Sequence, residues 1–122
     1  MIRRFILFGL LALAGCAGPG ATTAPKVAVS KPQMPVAPET ETGCLAAGGN
    51  WGPVGLLGTE ACTMTSPTGG KQCMDSSECA GECWSSEPPG SKAGGYCQPT
   101  NMPFGCHASV VGGVVQPALC AD

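Results

Sequence analysis

Cysteine is the residue with which this chain could do the most chemistry: there are nine in 122 residues, at positions 16, 44, 62, 73, 79, 83, 97, 106 and 120. Cysteines at this density bind zinc, act as nucleophiles or pair as disulfides, and their spacing separates the three. Zinc sites are built on close pairs such as CxxC completed by histidine, but this chain has no CxxC and its single histidine is His107. A nucleophilic thiol needs an independent base, and that one imidazole adjoins Cys106, which is itself a candidate for pairing. Disulfide bonding is therefore the expected chemistry. Disulfides persist outside the reducing cytosol, so the chain is expected to be exported.

The other reactive side chains give weaker patterns. Met64, Met74 and Met102 are dispersed and are expected to pack rather than to act as soft copper ligands. The acidic stretch from Asp75 to Glu82 lacks the alternating oxygen donors of a calcium loop and reads as a cap and a solvated face. Glu78, Glu82 and Glu87 have no spacing that sets two carboxylates across a cleft, and the serines lie in turns without a nucleophile elbow. Neither an enzyme, a metal site nor a non-covalent cofactor is expected. From Cys44 to Asp122 two lysines face six carboxylate side chains, so there is no basic patch for nucleic acid.

The elements that must position these cysteines are short. Cys44 to Asp122 has four Leu, five Val, one Phe and no Ile in 79 residues, too little large apolar surface to offset chain entropy by burial. Native disulfides each contribute about 2 to 5 kcal/mol, so four of them would dominate stability. Gly48-Gly49 beside Trp51, then Val54–Leu57 and Ala61–Met64 around Gly58, predict a small β-ribbon with Trp51 as an interior plug. Asp75 and Glu78 have the offset of a capping box, predicting a short helical turn on which Cys79 and Cys83 share a face. The segment 85–95 is turn chemistry and should be the most exposed and mobile loop. Val110-Val111-Gly112-Gly113-Val114-Val115 predicts a type I′ hairpin, pairing Val111 with Val114 and drawing Cys106 toward Cys120. The eight cysteines still allow 105 connectivities. The expected fold is a small disulfide-rich domain, mostly short β-hairpins and loops with at most a short helical turn near 76–82.

Ahead of this domain, Arg3-Arg4 precede an apolar run from Phe5 to Leu13 and the residues Leu13-Ala14-Gly15-Cys16. The run falls short of the roughly 20 residues that span a bilayer and has the layout of a secretory signal. Together with the four residues that follow, it resembles the signal peptide and lipobox of bacterial lipoproteins. The resemblance implies cleavage before Cys16, a diacylglyceryl thioether on that cysteine and acylation, such as palmitate, of its new amine. Two or more acyl chains give stable membrane anchoring. Ala17 lacks the aspartate signal for inner-membrane retention known in enteric bacteria, which favours the outer membrane. Removing Cys16 as lipid carrier leaves eight cysteines (44, 62, 73, 79, 83, 97, 106 and 120), an even set that four bridges consume. Residues 16–43, rich in Pro, Ala and Thr, read as a tether with a reach between about 30 Å as a coil and about 80 Å as polyproline II. A Pro-rich docking motif is the less favoured reading. Residues 44–122 are the globular domain. Their Cys, Gly-Gly, Trp opening and their terminal hairpin ending in Cys and Asp are similar to small cysteine-rich secreted or lipoprotein domains of proteobacteria, which implies an architecture and no mechanism.

The expected function is that of a membrane-anchored, cell-envelope lipoprotein presenting a structural or interaction domain on the periplasmic or exterior side, toward an envelope protein partner. The alternative is a small proteinase inhibitor that uses Lys92-Ala93 in the 85–95 loop.

Overall fold

The structure is a computed structural model that describes residues 30–122. Cys16 and the rest of the lipobox, with the first half of the tether, lie outside the described residues. Among the described residues no helix is long and apolar enough to cross a membrane.

The first element among the described residues, helix α1 (Glu41–Ala46), was not expected from the sequence. Thr40 caps it, its hydroxyl accepting the Gly43 amide at 3.2 Å, and Glu41 lies in the positive first turn. Gly48 ends it at φ +79°, with its amide on the Leu45 carbonyl and the Gly49 amide on that of Cys44. These two bonds form a Schellman stop, so the Gly-Gly pair closes a helix instead of turning a ribbon. The one buried residue of α1 is Cys44. The ribbon follows as β1 (Asn50–Val54) and β2 (Thr59–Thr63), paired antiparallel from Asn50 opposite Thr63 to Val54 opposite Thr59. Leu56 and Leu57 stand out in solvent at its turn rather than in a strand as expected. Trp51 is half-buried rather than the interior plug expected, and packs against a small cluster of Cys44, Cys62 and Met64.

Ala37 packs on the same cluster. Within 30–38, Met34, Pro35, Ala37 and Pro38 are half-buried, whereas Gln33 and Val36 face solvent. That is a three-residue repeat, the period of polyproline II, and Pro32, Pro35 and Pro38 recur with it. The end of the stretch read as tether thus lies along the domain.

The second layer is a six-stranded antiparallel sheet. Its strands are β3 (Gln72–Cys73), β4 (Cys83–Ser85), β5 (Gly95–Cys97), β6 (Gly105–Val111), β7 (Val114–Val115) and β8 (Leu119–Ala121). The order is β3-β5-β4-β6-β7, and β8 also pairs with β6. Its inner face buries Cys73, Cys83, Cys97, Ala108, Val110 and Val115 with Cys79. Between β3 and β4 a 3-10 turn (Ser76–Glu78) carries the expected capping box, with Asp75 accepting from Ser77 and Glu78 reaching back to the Asp75 amide. Cys79 and Cys83 do not share its face. Cys79 is already extended as the C-cap and Cys83 belongs to β4, because the turn ends after three residues. The β6–β7 hairpin has the expected register, Val111 opposite Val114 and Val110 opposite Val115, with Gly112 and Gly113 at φ +59° and +75°. Both glycines occupy the left-handed region that a type I′ turn requires.

Asn101 joins the two layers. Its Oδ1 accepts the Met64 amide at 2.7 Å, its Nδ2 donates to the Cys62 carbonyl at 3.0 Å, and its own amide donates to Met64 at 3.0 Å. A bridge between Thr65 and Thr100 and a bond from the Ser66 amide to the Pro99 carbonyl extend the seam.

Candidate functional site

The eight cysteines from Cys44 to Cys120 pair completely: Cys44–Cys62, Cys73–Cys83, Cys79–Cys97 and Cys106–Cys120. Each pairing follows from the elements described. Helix α1 places Cys44 over β2 and Cys62. The capped turn carries Cys79 back over the sheet to Cys97, and Cys73 and Cys83, on the two strands either side of β5, are bridged with their Cα atoms 6.0 Å apart. Cys106 and Cys120 are directly opposite on the β6–β8 ladder. The sequence brought this last pair together correctly. The sulfurs of Cys73, Cys79 and Cys83 lie within 4.8 Å of one another, a spacing that could hold a metal if they were thiols. They belong to two disulfides packed side by side, so none of them is the thiolate that ligates a metal.

Cysteine alternation also fixes what faces outward. Cys83-Trp84-Ser85 and Gly95-Tyr96-Cys97 are strands whose cysteines point inward, so Trp84 and Tyr96 point out. The register sets Gln72, Tyr96, Trp84 and Ser109 in one row across four strands. His107, two residues before Ser109, lies flat on Trp84 with ring centroids 3.6 Å apart and planes 2° from parallel. The His107 Nε2 lies 2.8 Å from the Phe104 carbonyl, and Trp84 Nε1 donates to Glu82 at 3.3 Å. Tyr96 is 57% exposed. A shallow groove of about 440 Å³ runs between Trp84, Ser86, Tyr96, Pro99 and His107, and another of about 420 Å³ lies on the far side of Tyr96 against Gln72, Met74 and Glu78. Flat aromatic faces ringed by hydrogen-bonding side chains are suited to holding the apolar face of a partner. The scarcity of large apolar residues that predicts Trp51 as an interior plug would place Trp84 inside as well. Trp84 stays half-exposed because its strand neighbours Cys83 and Ser85 take the inner face. Period-two reading around each cysteine was the available signal.

The inhibitor loop is placed differently from expectation. Residues 86–90 are exposed, but the loop is braced: the Gly90 amide donates to Val115 at 2.8 Å, the Val115 amide to Ser91 at 2.9 Å, and the Ser85 hydroxyl to Gly94 at 3.0 Å. Lys92 is exposed, whereas Ala93 is half-buried against the main cluster.

The 3-10 turn is locked to the hairpin tip. Asp75 Oδ2 accepts the Gly112 amide, while the Ser76 hydroxyl donates to the Val110 carbonyl and accepts the Cys83 amide, both at 3.0 Å. Hydrogen bonds from Ser77, side chain first and then amide, and from the Gly112 amide lower the Asp75 pKa to about 2. No protein-family model matches the chain, nor does any curated protein or solved structure with which it was compared.

Proposed function

We propose that this chain is a lipid-anchored protein of the bacterial envelope, held through Cys16, whose disulfide-locked domain works as an interaction module. The observation that carries the reading is the complete pairing of the eight cysteines from 44 to 120, the even set that remains once Cys16 is assigned to lipid. Cys16 stands where a lipobox needs it, behind Leu13-Ala14-Gly15. The reading assigns the domain no catalytic step and no cofactor beyond the covalent lipid. Its outward surface is the Trp84, Tyr96 and His107 face, offered to an envelope protein and not to nucleic acid, and the outer membrane is the favoured address.

The test is expression of the full chain in a bacterial host fed labelled palmitate. The parent protein should carry label and sediment with membranes, and Cys16→Ser should lose the label and leave the membrane fraction. A Cys16→Ser variant that stays membrane-bound at the parent level would refute lipid anchoring.

The inhibitor reading is favoured by one observation, the bracing of the 85–95 loop around an exposed Lys92. It requires tight inhibition of a trypsin-like protease that Lys92→Ala abolishes. Rapid cleavage after Lys92 without inhibition would eliminate it.

A further inference from the structure

Three of the four disulfides are interior and one is not. The sulfurs of Cys44–Cys62, Cys73–Cys83 and Cys79–Cys97 belong to residues between 0% and 4% exposed, within the two apolar clusters. Cys106 and Cys120 are both exposed, and so are the other two residues of β8. Strand β8 pairs with β6 alone, at Gly105, Cys106 and His107, and its Leu119 is 79% exposed. None of β8 belongs to either buried cluster.

We infer that Cys106–Cys120 is a thiol–disulfide exchange site of this domain, reducible by an external dithiol while the other three bridges stay closed. Exchange requires a thiolate to approach a disulfide sulfur, and among these bridges only this one is open to solvent. The thiolate of the dithiol attacks one of the two sulfurs, the Cys106–Cys120 bond breaks, and a mixed disulfide forms as the other cysteine departs as thiolate and takes a proton from water. The second thiol of the reagent then attacks the mixed disulfide, closing the reagent's own disulfide and releasing the second cysteine. The dithiol loses two electrons and the domain gains two thiols.

The consequence is local. Severing any of the three interior bridges cuts into a buried cluster, whereas severing this one frees only a strand held by one short ladder. Leu119 and Ala121 form one wall of a cleft whose other wall is Trp84, Pro103, His107 and Ser109. Release of β8 therefore opens the Trp84–His107 face on that side, and the oxidation state of this bridge sets how much of the face a partner can reach. The inference concerns the folded domain and stands or falls independently of lipid anchoring at Cys16.

The experiment is timed reduction of the folded, oxidised protein with dithiothreitol in the absence of denaturant, with alkylation of new thiols and peptide mapping. Cys106 and Cys120 should become alkylated together, at least tenfold faster than the other six, and amide exchange should quicken in β8 and at His107 while β3, β4 and β5 keep their protection. Cys106→Ser/Cys120→Ser should lack the fast phase. Alkylation of all eight cysteines at one rate, prior labelling of an interior pair, or no labelling without denaturant would each overturn the assignment, and all three are read on the parent protein alone.

Discussion

Replacing Cys79 and Cys97 together with alanine removes the bridge at the centre of the main cluster. The two residues are 18 apart in sequence, and freeing a loop of that length returns about 3 kcal/mol of entropy to the unfolded chain. Both are also fully buried against Cys73, Cys83, Ala108 and Val110, so the missing sulfurs leave a void costing about 1 kcal/mol more. Domains of this size carry a net stability of about 4 to 12 kcal/mol, so a loss of about 4 kcal/mol removes a large part of it. The assay is urea unfolding at neutral pH followed by tryptophan fluorescence, with the three remaining bridges verified by mass before each measurement. The variant should unfold at a much lower urea concentration and show unfolded molecules at 37 °C without denaturant. A loss below about 1 kcal/mol would refute the view that bridges, rather than apolar packing, hold this domain together.

Asn101→Ala should cost about 2 kcal/mol in the same assay, because it leaves the Met64 amide and the Cys62 carbonyl unpaired in a partly buried seam; an unchanged midpoint would show that the seam is held elsewhere. The depressed Asp75 carboxyl stabilises the fold above the unfolded carboxylate pKa of about 3.9, and that contribution is lost as pH falls through about 2. Urea midpoints taken between pH 5 and pH 2 should therefore fall more steeply for the parent than for Asp75→Asn, and equal slopes would contradict the bonds from Ser77 and Gly112. Gly113→Ala forces a side chain into the left-handed region at φ +75° and should cost about 1 to 2 kcal/mol, whereas a neutral effect would mean that the hairpin can re-form with another turn.

The parts of the fold that local chemistry determines were legible in the sequence. The β6–β7 hairpin follows from two valine pairs around Gly112-Gly113, and the turn at Ser76–Glu78 from the offset of Asp75 and Glu78. Helix α1 was not legible, because ETGCLA is only six residues long and carries a glycine. It is held by a threonine cap, a Schellman stop and the Cys44–Cys62 bridge, and the bridge depends on a partner 18 residues away. The packing of residues 34–38 was hidden for a similar reason: a proline-rich composition reads as a spacer, and only the alternation of half-buried and exposed residues, with Ala37 on the Cys44, Cys62 and Met64 cluster, shows that a surface receives it. Connectivity was open for all eight cysteines, with Cys106–Cys120 only the plausible bridge, because pairing depends on the order of the strands, such as β5 lying between β3 and β4, which sequence proximity does not reveal. The aromatic face was legible in principle, since a residue flanking an inward cysteine on a strand must point outward. The low apolar content instead favoured placing Trp84 inside.

Lipid anchoring and complete disulfide pairing meet in one measurement, the intact mass of the mature protein extracted from membranes, before and after reduction. The expected result is a chain beginning at Cys16 with a diacylglyceryl group attached, with no free thiol, gaining eight hydrogens when its four bridges are reduced. An unlipidated Cys16, or a gain of fewer than eight hydrogens with a thiol already free in the domain, would contradict it.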